Sequence, residues 1–297
     1  DDVKSLASFA RKHRCVEALF VTGERPEEKY NEARVWLKEN GFSSTSEYLV
    51  HASEIALREG LFPHTNAGNL TKYEMSELKK TNVSIGLMLE NSSERLMQDG
   101  MPHHLAPSKN PSERLCVLSN AGQLKIPTTT GILIGIGETP YEVIDSIFAI
   151  KKLHEEYGHI QEIILQNFQP KHDTIMRGSP STEESYFKTI VAITRVIMPK
   201  MNIQIPPNLS PLSYQSFLEV GINDWGGISP LTPDYVNPEF SWPQISFVEQ
   251  NTQNAGFELK ARFPVYPEFI PMVNGDLRNK MDAIIDEEGL VRRQYWR

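Results

Sequence analysis

The feature that most constrains the fold is a regular alternation of short apolar runs with amphipathic helical segments. Seven runs rich in β-branched and aliphatic residues recur, at residues 16–22, 61–65, 83–89, 128–136, 160–168, 201–205 and 222–225. Their continuous and nearly uncharged character is typical of parallel strands covered on both faces. One intervening segment, residues 141–157, repeats Val143, Ile147 and Ile150 at helical spacing. The alternation predicts an α/β fold, and the lack of a compositional break favours one parallel (β/α) barrel of the TIM type.

Four Ser/Thr/Asn-x-x-Glu patterns mark the predicted starts of helices. They begin at Thr71, Asn110, Thr139 and Ser181. In each pattern the first side chain can cap the helix, while the glutamate three residues later reaches back to the backbone. Glycines that can close helices in the left-handed conformation stand at 41, 60, 122, 158 and 221. These signals set the helix boundaries between the apolar runs.

The number of strands and the first helix together suggest how the barrel begins. A full barrel of this type has eight strands, and the sequence shows seven. Residues 1–14 form a predicted helix, which in a β/α repeat should follow a strand. We therefore expect the first strand to be missing. The whole chain, residues 1–297, is expected to form a single barrel domain with an irregular packing segment from about residue 238.

Charge and hydropathy exclude several classes of function. The chain has 30 Lys and Arg against 38 Asp and Glu, and it has no long cationic run that could follow a phosphate backbone. We therefore expect no nucleic-acid partner. No apolar stretch reaches the ~18–20 residues that a membrane span needs, and the N-terminal residues lack the basic and apolar regions of a signal peptide. The sequence predicts a soluble, cytoplasmic protein without a membrane partner.

Polar residues collect where the predicted strands end. They are Gly23-Glu24, Thr65-Asn66, Glu90-Asn91-Ser92, Gly135 to Glu138, Gln166-Asn167, Asn208 and Asp224-Trp225. In a parallel barrel the carboxyl ends of the strands face one cavity, which holds the chemistry. Amides, hydroxyls and carboxylates dominate the set, and histidine is scarce, with only His64 near a strand end. This composition favours a polar organic ligand with amine and hydroxyl groups over a polyphosphate.

The carboxylate and the glycines of this set also have structural interpretations. Glu90 needs solvent or a partner when it leaves a barrel strand, and a salt bridge to Arg114 or Arg95 would supply one. Gly23 and Gly135 can serve plain turns between a strand and a helix. Both interpretations stay open beside a ligand-binding role.

Two other motifs differ in how strongly they indicate a ligand. His103 and His104 favour a surface loop over a metal site, because adjacent histidines point apart on regular backbone. Trp225 lies between Asp224 and two glycines. An indole in such a place can line a pocket for a flat ligand ring, or it can pack in a tight turn. The polar and aromatic residues that follow, from Asn237 to Trp242, favour the ligand.

Several segments together resemble one family, the radical S-adenosylmethionine enzymes that close the ring of the deazaflavin chromophore FO. The resemblance spans nearly the whole chain. It lies in the segments 17–24, 63–70, 89–96, 125–139, 166–168 and 221–232. The glycine–glutamate turn at 23–24 and the glycine-rich run at 128–136 resemble many radical enzymes of this type. The stretch around Asp224 and Trp225 resembles the deazaflavin branch specifically.

The resemblance implies a lyase with S-adenosylmethionine and a 4Fe-4S cluster as cofactors. It would form FO from 5-amino-5-(4-hydroxybenzyl)-6-(D-ribitylimino)-5,6-dihydrouracil with release of ammonia, in coenzyme F-420 biosynthesis. The implied cofactor-binding residues are Gly23, Glu24, Glu90, Arg114, Gly135, Gly137 and Glu138. The implied substrate-binding residues are Thr65, Asn66, Gln166, Asn167, Asp224 and Trp225. An arginine fork suits a carboxylate, and a glutamate suits an ammonium or a ribose hydroxyl; the resemblance identifies no catalytic acid or base.

The cysteines depart from the family pattern. The family holds its cluster with three cysteines spaced Cys-x-x-x-Cys-x-x-Cys, whereas this chain has only Cys15 and Cys116. Both are expected to be ordinary buried thiols, so no metal ligand is assigned. Together with the missing strand, this predicts an N-terminally incomplete enzyme whose 297 residues do not carry out radical chemistry.

Two other functions stay open from the sequence. One is the partner half-synthase, which cleaves tyrosine and transfers its 4-hydroxybenzyl group, or another tyrosine- or quinone-pathway radical enzyme. The other is a non-catalytic barrel that has lost its cluster and binds adenosyl compounds or a protein. As partners, the resemblance implies a small-molecule substrate, the partner half-synthase and an electron donor such as ferredoxin or flavodoxin.

Overall fold

A computed structural model describes residues 2–297 of the chain. Its strands are β1 (Glu17–Val21), β2 (Phe62–Asn66), β3 (Ser84–Gly86), β4 (Thr128–Ile134), β5 (Ile160–Asn167) and β6 (Asn202–Gln204). They follow the chain order β1-β2-β3-β4-β5-β6, and the β1–β2, β2–β3 and β5–β6 pairs are parallel. The prediction of an α/β fold with parallel strands is confirmed.

Helices separate the strands as the sequence predicts. They are α1 (Asp2–Lys12), α2 (Pro26–Lys29), α3 (Asn31–Glu39), α4 (Thr45–Arg58), α5 (Lys72–Leu78), α6 (Pro111–Gln123), α7 (Pro140–Tyr157), α8 (Glu184–Ile197), α9 (Ile245–Asn254) and α10 (Gly275–Met281). Asp1, the first residue of the predicted N-terminal helix, lies outside the described residues. Within residues 2–297, no helix has the length and apolar character that a membrane crossing needs.

Three of the four predicted helix starts carry the expected side-chain cap. Thr71 and Thr139 form complete capping boxes with the glutamates three residues later, and Asn110 accepts from the backbone N–H of Glu113 at 3.2 Å. The fourth start is wrong. The hydroxyl of Ser181 donates to Gln169 at 3.0 Å instead, and α8 begins later, at Glu184, without a side-chain cap.

The predicted seventh strand is reduced to one bridge. Asp224 pairs in parallel with Gln204 at the end of β6, and Asn223 N–H donates to the Ile203 carbonyl at 3.1 Å. The Asp224 carboxylate then accepts from the N–H of Gly226 at 2.6 Å, and Gly226 has φ +77°. This turn takes the chain away from the sheet, so residues 2–297 contain six strands and not seven.

The residues group into two compact units. Of the described residues, unit one comprises 2–87, Val117–Thr128 and Lys260–Arg297, and unit two comprises Met88–Cys116 and Thr129–Leu259. The assignment of residues 1–297 to a single domain stays a prediction.

The core of unit one depends on the C-terminal segment that the sequence shows as irregular. Phe62 of β2 meets Phe263 edge-on, with ring centroids 5.1 Å apart. Val265 and Phe269 extend this buried cluster, as does Leu277 of α10. Burial of such side chains contributes about 1.5–3 kcal/mol each, so the segment after residue 260 is part of the fold.

Unit two packs long helices against buried strands. Ile134 of β4 and Ile163 of β5 are fully buried, as is Ile147 of α7. On α8, Phe187 packs against Phe217 with ring centroids 5.1 Å apart. The polar residues at the ends of β4, β5 and β6 therefore rest on a close-packed base.

Candidate functional site

The turn after β1 in unit one carries acceptor oxygens without partners. The Oγ1 of Thr22 and the Oε2 of Glu24 are buried, and no donor among residues 2–297 reaches them. Gly68, with φ +73°, makes room for the carboxylate, since a Cβ there would lie 2.7 Å from Glu24 Oε2. Gly23 is exposed and has open space around it. A buried oxygen that has no hydrogen-bond donor can accept a hydrogen bond from an ammonium or hydroxyl group of a ligand.

Arg25 fixes this turn to α5. Its backbone is left-handed, with φ +41°, and its guanidinium donates to both carboxylate oxygens of Glu74, at 3.0 and 2.7 Å. Burial would raise the pKa of Glu74, but hydrogen bonds from Arg25, Thr71 and Ser46 lower it to about 2. The paired geometry therefore holds the backbone next to Glu24 in place.

We expect Glu74→Gln to lower stability near pH 6 and to have a much smaller effect near pH 2. The pKa of Glu74 lies below its ordinary value of 4.5, so the carboxylate stabilises the fold above that value, and its contribution is lost as the pH falls from 4.5 to about 2. Because solvent screens the pair, the loss near pH 6 should be about 1 kcal/mol. Urea unfolding at both pH values measures it. Glu54→Gln, in an exposed pair with Arg58, is the control and should change little at either pH.

The two predicted residues of β2 lie on opposite faces. Thr65 is fully buried and donates to Asn82 Oδ1 at 2.8 Å, and Asn82 in turn donates to Ser53 of α4 at 3.1 Å. The Thr65 hydroxyl is therefore used between the strand and the helices. Asn66 ends the strand, half-buried, with its side chain on the other face. The structure does not bring these two side chains together.

In unit two, Glu90 lies in a constrained position and is paired with two cations. Its backbone has φ +67°, and its N–H donates to the Gly131 carbonyl at 3.0 Å. Lys109 Nζ contacts Glu90 Oε1, and Arg114 Nη1 lies 3.6 Å from the same oxygen. Of the two predicted salt-bridge partners, Arg114 is present and Arg95 is not, since Arg95 pairs with Glu142 at 2.7 Å.

Arg114 and His103 complete this group, which we call the Glu90 cluster (Glu90, His103, Lys109 and Arg114). Arg114 is buried and donates to the carbonyls of Ser108, at 2.9 Å, and Met88. His103 is also buried, so its assignment to a surface loop is wrong. Burial lowers the pKa of His103, Glu90 opposes this, and Lys109 and Arg114 reinforce it.

The sequence contained no direct signal for Lys109 or for the buried position of His103. The N–H of His103 donates to the Leu96 carbonyl at 2.9 Å, which folds the loop back onto the cluster. His104, its neighbour, stays partly exposed beside Asp99. Alternation between buried and exposed side chains could have separated the two histidines, but an irregular loop gives no period to read.

After β4, the turn from Gly135 to Glu138 is closed by its own carboxylate. Glu138 accepts from the N–H groups of Gly135 and Ile136 at 2.7 and 2.8 Å. Gly135 has φ +96°, and a Cβ there would lie 2.2 Å from Thr182 Oγ1. Gly137, with φ +103°, offers its carbonyl to Arg95 at 2.8 Å. Both oxygens of Glu138 are thus engaged within the turn, and a ligand would meet the backbone rather than this side chain.

Two asparagines, one at the end of β5 and one in the turn that follows β6, present acceptor oxygens. Asn167 donates through Nδ2 to the Leu209 carbonyl at 3.0 Å, and Asn208 donates through Nδ2 to Asp234 at 2.9 Å and to the Phe240 carbonyl at 3.1 Å. These bonds fix the orientation of both amides. Their Oδ1 atoms are buried, with no donor from the described part of the chain. Gln166, the preceding residue on β5, is half-buried.

The segment around Trp225 is packed more tightly than the ligand interpretation requires. The indole is 6% exposed, meets Tyr214 edge-on at 5.2 Å and donates through Nε1 to Thr252 at 3.2 Å. Asp224 caps the turn at Gly226. The structure therefore favours the tight-turn alternative for both side chains.

The cysteines do not form a metal site. Cys15 is half-buried, which raises the pKa of its thiol. Cys116 is exposed on α6, so the expectation that both thiols are buried is wrong. Across residues 2–297, no group of three His, Cys, Asp or Glu side chains is arranged to hold a metal ion. Three thiolates are the usual ligands of a site-differentiated 4Fe-4S cluster, so the described residues do not fit that group.

The sequence is similar to those of named synthases over nearly its whole length. It is 44% identical over 295 residues to the 7,8-didemethyl-8-hydroxy-5-deazariboflavin synthase of Methanopyrus kandleri, covering 98% of this chain and 88% of that protein. It is 47% identical over 273 residues to the same synthase of Methanococcus maripaludis, covering 91% and 76%. It is 44% identical over 300 residues to the FO synthase of Streptomyces coelicolor, covering 98% of this chain and 35% of that protein.

Solved structures with the same fold are more distant in sequence. Methylornithine synthase superposes with a TM-score of 0.66 at 16% identity, covering 86% of this chain and 72% of that one. The FeFe-hydrogenase maturase HydG from Carboxydothermus hydrogenoformans superposes with a TM-score of 0.66 at 18% identity, covering 94% and 67%. These likenesses confirm the predicted α/β fold of the parallel-barrel type. No family model matches the chain.

Proposed function

Because the chain belongs to the 7,8-didemethyl-8-hydroxy-5-deazariboflavin (FO) synthase family of radical S-adenosylmethionine enzymes, we propose that it is the ring-closing half-synthase. It would convert 5-amino-5-(4-hydroxybenzyl)-6-(D-ribitylimino)-5,6-dihydrouracil to FO with release of ammonia and loss of two hydrogens, and S-adenosylmethionine would serve as the two-electron oxidant as it is cleaved to methionine and 5′-deoxyadenosine. The proposal rests on one observation: the sequence is 44% identical, over 98% of this chain, to a synthase of that name. Their product is the precursor of coenzyme F-420.

The acceptor oxygens at the strand ends support a ligand of this kind. The proposed substrate carries a ribityl chain and a uracil-derived ring, both rich in O–H and N–H donors. In unit two, the buried Oδ1 atoms of Asn167 and Asn208 lack donors, and such atoms are costly unless a ligand or water satisfies them. We therefore assign Asn167 and Asn208 to the substrate, with Gln166 beside them. The role of Asn66 stays a prediction, and Thr65 uses its hydroxyl for Asn82.

The residues of unit one fit the amino acid part of S-adenosylmethionine. When bound, this cofactor supplies the radical that begins the reaction. The carboxylate of Glu24 and the hydroxyl of Thr22 would accept from its ammonium group, because both have buried oxygens without donors among residues 2–297. Gly23 leaves the backbone open at this point.

In unit two, we propose that Glu90 accepts from a ribose hydroxyl. Lys109 and Arg114 both approach Oε1, which would leave Oε2 for the ribose hydroxyl. Arg114 is a positioning residue in this proposal, since its guanidinium is occupied by Glu90 and two backbone carbonyls. Gly135 and Gly137 would let a ligand approach the backbone of the turn that Glu138 closes.

The described residues do not fit the iron–sulfur cluster, because Cys15 and Cys116 do not supply three converging thiolates. No step is assigned through the cluster, and we propose that these 297 residues alone do not form FO. The partner half-synthase would supply the substrate, and ferredoxin or flavodoxin would donate electrons. The match to only 35% of the Streptomyces coelicolor FO synthase leaves room for a second half in that protein, which supports the first of these partners. The cytoplasmic localisation stays a prediction.

The alternative is the partner half-synthase, which uses tyrosine. The relatives named for the deazariboflavin synthase match over 75–88% of their own length, and this favours the ring-closing half. The two functions differ in product. An assay that supplies either the tyrosine adduct or tyrosine itself, and identifies what forms, separates them.

A further inference from the structure

Unit one holds a buried histidine that the proposed site does not use. His64 lies on β2, two residues before Asn66, so the two side chains project from the same face of the strand. It is 8% exposed. A Cβ built on Gly86 of β3 would lie 2.8 Å from His64 Nε2 and 3.4 Å from Asn66 Cβ. The ring nitrogen therefore occupies space that only a glycine at position 86 leaves open.

The hydrogen bonds around His64 determine which ring nitrogen carries the proton. The Ser84 hydroxyl donates to the Pro264 carbonyl, which has no hydrogen to give. Ser84 Oγ must then accept from His64, whose Nδ1 lies 2.6 Å away. The ring is thus the Nδ1–H tautomer, and its Nε2 is an unprotonated acceptor.

The surroundings keep this ring neutral. Burial, and then the positive charge of Arg262, lower the pKa of His64 to about 3. A ring with this pKa is a weak base at neutral pH but still a good hydrogen-bond acceptor. The described hydrogen bond of the ring uses Nδ1, and the side chains of residues 2–297 form no metal-binding group around the ring. A hydrogen-bond donor on a ligand would satisfy this nitrogen.

We propose that His64 is a substrate-recognition residue that accepts, through Nε2, one hydrogen bond from an O–H or N–H group of the substrate. The inference rests on the proposed function, which supplies a ligand with both kinds of donor. Ser84 and Pro264 act as positioning residues, because they fix the tautomer that His64 presents. Gly86 gives the donor access, since any larger residue would cover Nε2.

Binding of FO tests the proposal without the iron–sulfur cluster. The deazaflavin is fluorescent, so its dissociation constant can be measured by titration with the 297-residue chain and with His64→Phe, which keeps an aromatic ring of similar size but has no acceptor. We expect His64→Phe to weaken FO binding about tenfold, the effect of one lost hydrogen bond. The control is His51→Phe on the exposed side of α4, which should leave binding unchanged.

Nitrogen NMR of the unsubstituted chain gives a second test that does not depend on a variant folding. The imidazole of His64 should show protonated Nδ1 and bare Nε2, and the Nε2 signal should move when FO is added. A deazaflavin with methyl in place of ribityl locates the donor. Sensitivity to His64→Phe that is confined to FO indicates a ribityl hydroxyl, and sensitivity in both ligands indicates a donor on the ring system, either its N–H or its 8-hydroxyl.

The outcomes separate this inference from the function on which it rests. If the unsubstituted chain binds FO and folded His64→Phe binds it equally well, the role of His64 is wrong and the proposed function stands. A protonated Nε2, or an Nε2 signal that FO leaves unmoved, also contradicts the role of His64. If the folded, unsubstituted chain does not bind FO at all, the proposed function fails and this inference fails with it.

Discussion

Gly131→Ala is expected to destabilise the protein by about 3 kcal/mol, at the upper end of the cost of overpacking. Gly131 lies in β4, and a Cβ there would be 2.1 Å from the Ile164 carbonyl oxygen of β5 and 2.8 Å from the end of the Met88 side chain. Met88 can move, but the carbonyl belongs to the neighbouring strand. The strands would have to separate, and the hydrogen bond from Glu90 N–H to the Gly131 carbonyl would be disturbed with them.

Urea unfolding of the variant measures this cost, and a second glycine of unit two provides the matched control. Gly178 is exposed, does not have positive φ, and would have no atom within 4 Å of an added Cβ. Gly178→Ala should therefore change stability by less than about 0.5 kcal/mol. Equal effects of the two substitutions would contradict the close approach of β4 and β5 at Gly131.

Arg114→Leu is expected to destabilise the protein by a similar amount, about 3 kcal/mol. The guanidinium is buried and donates to the carbonyls of Met88 and Ser108, while also lying 3.6 Å from Glu90. Leucine would leave both carbonyls without this donor and leave Glu90 with Lys109 alone. The unsatisfied buried groups, more than the lost attraction, account for the size of the effect.

Denaturant unfolding and a double-substitution cycle check this account of Arg114. Arg177→Leu, at an exposed position of unit two, should cost less than about 0.5 kcal/mol. Adding Glu90→Gln to Arg114→Leu should cost less than the sum of the single effects, because the two side chains are in one network. Strict additivity would show that Arg114 and Glu90 do not interact.

Periodicity and capping chemistry were enough to predict the repeating architecture. Continuous apolar runs located all six strands, and Thr71 and Thr139 began their helices as their capping boxes indicated. Because the carboxyl ends of parallel strands are where polar side chains leave a packed core, this also located Glu24, Asn167 and Asn208, whose oxygens prove to be buried without donors. These features depend on neighbours close in sequence.

Side-chain partners distant in sequence could not be predicted in the same way. Thr65 and Asn66 are adjacent at a strand end, but only the structure shows Thr65 bonded to Asn82 on the helical side. Trp225 has the composition of a ligand wall, yet Thr252 and Tyr214 bury it. The short β6, with the turn at Gly226, similarly reduced the seventh strand to one bridge. In each case a tertiary contact outweighed the local pattern.

Product formation tests the central claim most directly. The longest reading frame that contains these 297 residues would be expressed, reconstituted anaerobically with iron and sulfide, and supplied with a reductant, S-adenosylmethionine and the tyrosine adduct. We predict that FO fluorescence appears and that the 297 residues alone give none. Failure of a cluster-loaded protein to form FO from the adduct, together with cleavage of tyrosine when tyrosine is supplied, would contradict the assignment to the ring-closing step.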